Sequence, residues 1–334
     1  LLGAAIDWAR AAGRLLVDDV VTTLVGAREL ELVGTDGWRF RHELFREVGA
    51  EIAPPSLHRE LHARAATALD KTASEAEPDW PVVAGHYDSA LRFAEAVEAY
   101  RKASLAARRR AAAPEAIAYL TSALHQLDRC AEGPARDRRE IAIRLERGFL
   151  LSATQGTWSG EGVRDYERCL ALAGGGDHED ELLTTLMSLI GYYLPRAELR
   201  RVQALRESLM SRLTRDRPWS SPVLASSLGS VLWLEGDFSA ARDHLTRALA
   251  DSSAADPGVL ESAWWVAVDP IAAAHSFLAL THMVTGDLIA ADAALAESGR
   301  RCDGLTFPRN AHNRAHTYFM AIWVRLECGQ LDQA

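Results

Sequence analysis

The stretch Leu228-Gly229-Ser230-Val231-Leu232-Trp233-Leu234-Glu235-Gly236-Asp237-Phe238-Ser239-Ala240-Ala241, continued by Leu245 and Ala248, decides the fold. An apolar helix runs up to Gly236 and a second starts at Phe238, with small residues where the two would cross. The glycine lets the first helix end in a left-handed conformation, so that the second folds back against it. The same grammar returns 50 residues on as Leu278-Ala279, His282, Gly286, Leu288, Ala291 and Leu295, and after a further 43 as Ala321-Ile322, Arg325, Gly329, Leu331 and Ala334. Such pairs bury a continuous face only by stacking on one another.

These spacings exceed the roughly 34 residues of a strict tetratricopeptide repeat, which places longer linkers at 252–258 and 302–308. Weaker pairs precede them: 93–110 with Ala96, Tyr100 and Ala103, 114–127 with Ala116, Leu120 and Ala123, then 138–155, 162–173 and two more helices between 180 and 213. The fold class expected is all-α, a tetratricopeptide-like helical solenoid over residues 82–334, truncated at its C-terminus, with one continuous curved core. The chain opens on Leu1-Leu2 without an initiator Met and stops at Leu331-Asp332-Gln333-Ala334, inside a repeat, so both ends read as cuts in a longer protein. The last helix should then expose its apolar face around Ile322 and Leu326.

Toward the N-terminus the period changes. Residues 1–12 and 17–27 read as helices, and Leu30–Val33, the turn Gly34-Thr35-Asp36-Gly37 and Trp38–Arg41 as a short hairpin. Helices followed by a hairpin make a small winged-helix remnant over residues 1–53. A connecting helix and polar linker follow at 54–81, with Ser56 as the expected N-cap. A winged helix often places its second helix in DNA, but here that helix starts Asp18-Asp19 and carries no Lys or Arg. With a net charge of -9 as well, no direct nucleic-acid contact is expected.

The arginine clusters Arg108-Arg109-Arg110 and Arg136/Arg138/Arg139 read as solvated helix faces, with a partner-binding edge as the other reading. Cys130, Cys169, Cys302 and Cys328 lie apart on helical patterns, as reduced, partly buried thiols of a cytoplasmic protein. No apolar run nears the ~18 residues of a membrane span, so no membrane partner is expected.

The segments Trp38-Arg39-Phe40-Arg41-His42-Glu43-Leu44-Phe45-Arg46-Glu47 and Leu57-His58-Arg59-Glu60-Leu61-His62-Ala63-Arg64-Ala65-Ala66 resemble the junction between winged helix and helical repeats in bacterial signal-transduction ATPases. These are the large ATP-binding LuxR-type regulators and related ATPase-containing nucleotide cyclases. Asp269-Pro270 with the run from His275 to Gly286, and Leu305-Thr306-Phe307-Pro308, are similar to their repeat region. The resemblance implies an upstream ATPase domain, binding ATP or ADP with Mg, as an intramolecular partner, and an output domain for DNA binding or cyclic-nucleotide synthesis. It also implies that His42, with Arg41 beside it, senses bound ADP; the bland alternative is a helix-start histidine satisfied by a backbone group.

The chain itself offers no cofactor site. Lys71-Thr72 lacks the glycines of a phosphate-binding loop, and no Gly-x-Ser-x-Gly elbow occurs, so no enzyme activity is expected. His58/His62 and His312/His316 are each four apart, on one helical face, but lack the intervening Glu of a zinc-protease helix and any evident third ligand. They read as ordinary face histidines. Trp233, Trp264, Trp265 and Trp323 are core filler or the anchors of a partner or effector groove. The expected function is a non-catalytic sensor and scaffold region that binds a protein partner or small effector and relays to the ATPase and output domains; the alternative is a free-standing scaffold without nucleotide linkage.

Overall fold

The computed structural model describes residues 18–33, 37–42, 44, 47–48, 54–71, 77–156, 159–173, 179–212, 220–253 and 267–330. Among them the fold is all-α apart from one two-stranded hairpin. The chain divides into two compact units, residues 1–106 with 121–131 and residues 107–120 with 132–334.

The first unit begins with α1 (Asp18–Gly26), β1 (Leu30–Val33) and β2 (Gly37–Phe40). The strands pair antiparallel, with Leu30 opposite Phe40 and Leu32 opposite Trp38. The expected hairpin is present. The expected helix over 1–12 lies outside the described residues. Then come α2 (Pro55–Lys71), α3 (Trp80–Ser89) and α4 (Phe93–Arg109). Ser56 falls inside the first turn of α2 rather than capping it, because Pro55, whose ring presets a helical φ and whose missing N–H costs nothing there, takes the first position. The α2/α3 packing is close because Ala65, Ala66, Val83 and Ala84 are small and buried.

After α5 (Ala113–Leu127), which with α4 contributes to both units, the second unit runs through α6 (Pro134–Gln155), α7 (Gly160–Ala173), α8 (Glu179–Tyr193), α9 (Leu199–Arg212), α10 (Ser220–Leu234), α11 (Phe238–Ser253), α12 (Pro270–Val284), α13 (Leu288–Asp303) and α14 (Arg309–Glu327). The three aligned glycines end their helices as expected, with φ of 85° at Gly236, 84° at Gly286 and 70° at Gly329. At the first, the Asp237 N–H donates to the Leu232 carbonyl at 3.0 Å and the Gly236 N–H to that of Trp233 at 3.1 Å. This is the Schellman closure. The same closure recurs at Ala111, where φ is 58° and the Ala112 N–H donates to the Ala107 carbonyl at 2.9 Å. Leu91 and Ala197 also take positive φ at helix ends.

Where α10 and α11 cross, a Cβ on Gly229 would stand 2.5 Å from Leu245 Cγ and 3.2 Å from the Ala241 carbonyl oxygen, so only glycine permits this approach. Among the described residues the core of the second unit gathers in two clusters that meet on α10, one from Ile141 to Val231 and one from Ala225 to Val324.

The first helices of successive pairs in this unit touch in sequence, α6 to α8, α8 to α10, α10 to α12 and α12 to α14, and α14 touches α6 again. At that closing contact the Arg309 guanidinium lies 4.9 Å above the Phe149 ring, and the His312 ring bonds to the Ala153 backbone. Five helices thus complete a circuit.

Candidate functional site

Two of the four predicted tryptophans meet in this circuit. Trp233, on the last turn of α10, and Trp323, on α14, stand edge to face with ring centroids 5.6 Å apart. Phe238 lies 5.8 Å and Phe277 6.0 Å from Trp233, and Phe319 lies 6.4 Å from Trp323. Edge-to-face contact sets the positive ring edge against a negative face and holds the cluster in one arrangement. Both indoles are half-buried, while Phe319 is 60% exposed and its neighbour Tyr318 62%. The Trp233 indole nitrogen is shielded from solvent and has no hydrogen-bond partner among the described residues. Trp264 and Trp265 lie outside those residues. Ile322 and Leu326 are exposed on the same helix.

Arg41 and His42 sit just beyond β2. The Arg41 N–H donates to the Glu29 carbonyl at 2.9 Å, extending the hairpin, and its guanidinium is 3.8 Å from Glu31. Arg39 pairs with the same carboxylate, and its hydrogen bond holds Glu31 below the usual carboxylate range. His42 is exposed.

The arginine clusters split. Arg109, Arg110, Arg138 and Arg139 are exposed, as expected of solvated faces, but Arg108 and Arg136 are not. Arg108 donates to the nearly buried Glu146 at 2.9 Å, and Arg136 approaches Glu140 at 3.5 Å. The expectation of solvated faces fails at these two because buried carboxylates need cationic partners. Glu140 also accepts from Arg144 at 2.8 Å and Arg168 at 2.9 Å; Asp165 accepts from Arg144 at 2.9 Å and from two Arg147 nitrogens at 2.8 and 2.7 Å. Both carboxylates are almost wholly buried. Burial pushes the Glu140 carboxyl up, but the hydrogen bonds from Arg168 and Arg144 outweigh it and hold the group low.

A second buried polar seam joins α12, α13 and α14. Asp269 caps α12 by accepting from the Ile271 and Ala272 N–H groups, and it also pairs with Arg301 at 2.8 Å. Asn313 accepts from the Asp269 N–H at 2.7 Å. The Ser298 hydroxyl donates to the Ala272 carbonyl at 3.0 Å and sits 2.8 Å from that of Thr317.

Among the described residues no group of three or more His, Cys, Asp or Glu side chains is arranged to hold a metal, and no helix is long and apolar enough to cross a membrane. His316 is pushed down to about 4 by burial and by His312, and so is neutral near pH 7. In the first unit the Nδ1 atoms of His62 and His86 stand 2.8 Å apart, and the His58 ring centroid is 6.3 Å from that of His62. Burial and the neighbouring His62 push His86 down to about 4. Sequence reading missed His86, since it lies 24 residues from His62 on another helix.

No protein-family model matches this sequence, and no curated protein is similar to it. Among solved structures, the chain is similar to BtubC (BKLC) from P. vanneervenii, with 15% identity, a TM-score of 0.46 and coverage of 76% of this chain and 94% of that one. It is also similar to yeast Tom70, with 15% identity and a TM-score of 0.33, covering 85% of this chain and 58% of Tom70.

Proposed function

We propose that this chain is the non-catalytic sensor and scaffold region of a multidomain ATP-binding signalling regulator. A protein partner or small effector binds at the aromatic cluster of the second unit, and the signal passes to an ATPase domain and its output. The observation that carries the binding step is the joining of Trp233 and Trp323 with exposed Phe319. Clustered aromatics give a large apolar area at small entropic cost. The Trp233 N–H, shielded from solvent and without a hydrogen-bond partner among the described residues, is left at a cost of about 1–3 kcal/mol that a rearrangement on binding would relieve. The relay step rests on the resemblance at Trp38–Glu47 and Leu57–Ala66, where Arg41 and His42 follow β2 in the chain.

The complete reading frame should encode a glycine-rich phosphate-binding loop upstream. In that full-length protein, Phe319→Ala should change nucleotide turnover by about tenfold or more with a stability change within about 0.5 kcal/mol, as expected of an exposed position. A reading frame without the loop favours the free-standing scaffold. Turnover unchanged by Phe319→Ala removes the aromatic cluster from the signal path.

A further inference from the structure

The histidines of the α2/α3 joint carry an inference separate from the aromatic cluster. His62 and His86 face each other through the same ring atom, Nδ1, at 2.8 Å, from two helices packed through buried Ala65, Ala66, Val83 and Ala84. At that distance one Nδ1 carries a proton and the other accepts it. His58, one helical turn before His62, adds a third imidazole beside the pair.

With metal–nitrogen bonds of about 2.05 Å, nitrogens 2.8 Å apart subtend about 86° at a shared cation. That is close to the angle of about 90° between neighbouring ligands in square-planar and octahedral sites, and well short of the tetrahedral angle. Imidazole nitrogens in tetragonal geometry suit Ni²⁺ and Cu²⁺.

We propose that His62 and His86 alone form a two-histidine chelating site for one divalent cation of the nickel and copper class, water completing its coordination. On binding, the proton on one Nδ1 moves to Nε2 of the same ring through solvent. Both Nδ1 lone pairs then go to the cation, and no proton is released overall. The cation ties α2 to α3.

The test is calorimetric titration of Ni²⁺ into the chelator-stripped full chain at about pH 7.5, where imidazoles are neutral. One equivalent should bind, and His62→Ala or His86→Ala should each weaken binding by at least about tenfold. Replacing His312 and His316 together by Ala should leave it unchanged. His86→Gln, which keeps the volume and a hydrogen-bonding group, should lose Ni²⁺ while keeping the wild-type melting temperature. Equal uptake by wild type and the His62 and His86 variants, or no uptake by wild type, overturns the site.

Discussion

The α6/α7 and α12/α13 pairs of the second unit are held across their contacts by opposite chemistry. In the first, Glu140 and Asp165 are gripped by Arg144, Arg147 and Arg168, so the contact is a network of full charges around two buried carboxylates. In the second, Ser276 and Ser298 share a hydrogen bond at 3.1 Å and Ser298 continues to Thr317, so neutral hydroxyls do the same work. One ion pair, from Asp269 at the start of α12 to Arg301 near the end of α13, adds to them. A charged network holds its full value only while complete, because removing one member strands its partners in a low-dielectric setting. A hydroxyl seam degrades by steps.

The sharpest way to break this contrast is to remove one member of each. Asp165→Ala should cost about 3–5 kcal/mol by removing three charge-assisted hydrogen bonds, so that half-buried Arg147 loses this carboxylate and Arg144 keeps Glu140 alone, whereas Ser298→Ala should cost about 1–3 kcal/mol. Denaturant unfolding of both variants measures the difference, and equal losses would end the distinction.

Acid should also separate the two pairs. Because Glu140 is held below its ordinary value, its contribution is fully present above the unfolded carboxylate pKa and is lost as pH falls through the folded one. The stability gap between wild type and Glu140→Gln should therefore be full at neutral pH and close in acid, while the gap for Ser298→Ala stays constant. A Glu140→Gln gap that persists in acid would mean that the charge does not hold the pair.

The smallest expected effect concerns the turns. Ala111 takes the left-handed conformation that Gly236 takes without penalty, so Ala111→Gly should stabilise the chain by about 0.5–1 kcal/mol, measured by thermal melting. A loss instead would show that the alanine methyl contributes packing that outweighs the strain.

These turns also show what the sequence could disclose. Gly236, Gly286 and Gly329 announce their helix ends because glycine is the residue that pays nothing for positive φ. Leu91, Ala111 and Ala197 close equivalent turns, yet nothing in their chemistry marks them, so the earlier pairs were legible only from helical periodicity. Trp233 and Trp323 could be named as candidates from residue type, but their meeting depends on how α10 and α14 pack. The buried carboxylates were hidden for a related reason: Glu140 and Arg144, four apart, read the same on an exposed face as in a core. Arg168 and Asp165, which decide the matter, come from the next helix.

The contact of Arg309 with Phe149 and of His312 with Ala153 has a consequence for how such a chain can evolve and fold. An open array of helix pairs can gain or lose a unit by duplication, since each pair depends only on its neighbours, and it can begin folding anywhere along its length. Once the fifth helix of the circuit returns to the first, an inserted pair would leave no place for α14 against α6. The number of pairs is then fixed by closure, and partners more than 150 residues apart in sequence must find each other before the circuit is complete, a long-range requirement that slows folding and makes the unit gain its stability late and together.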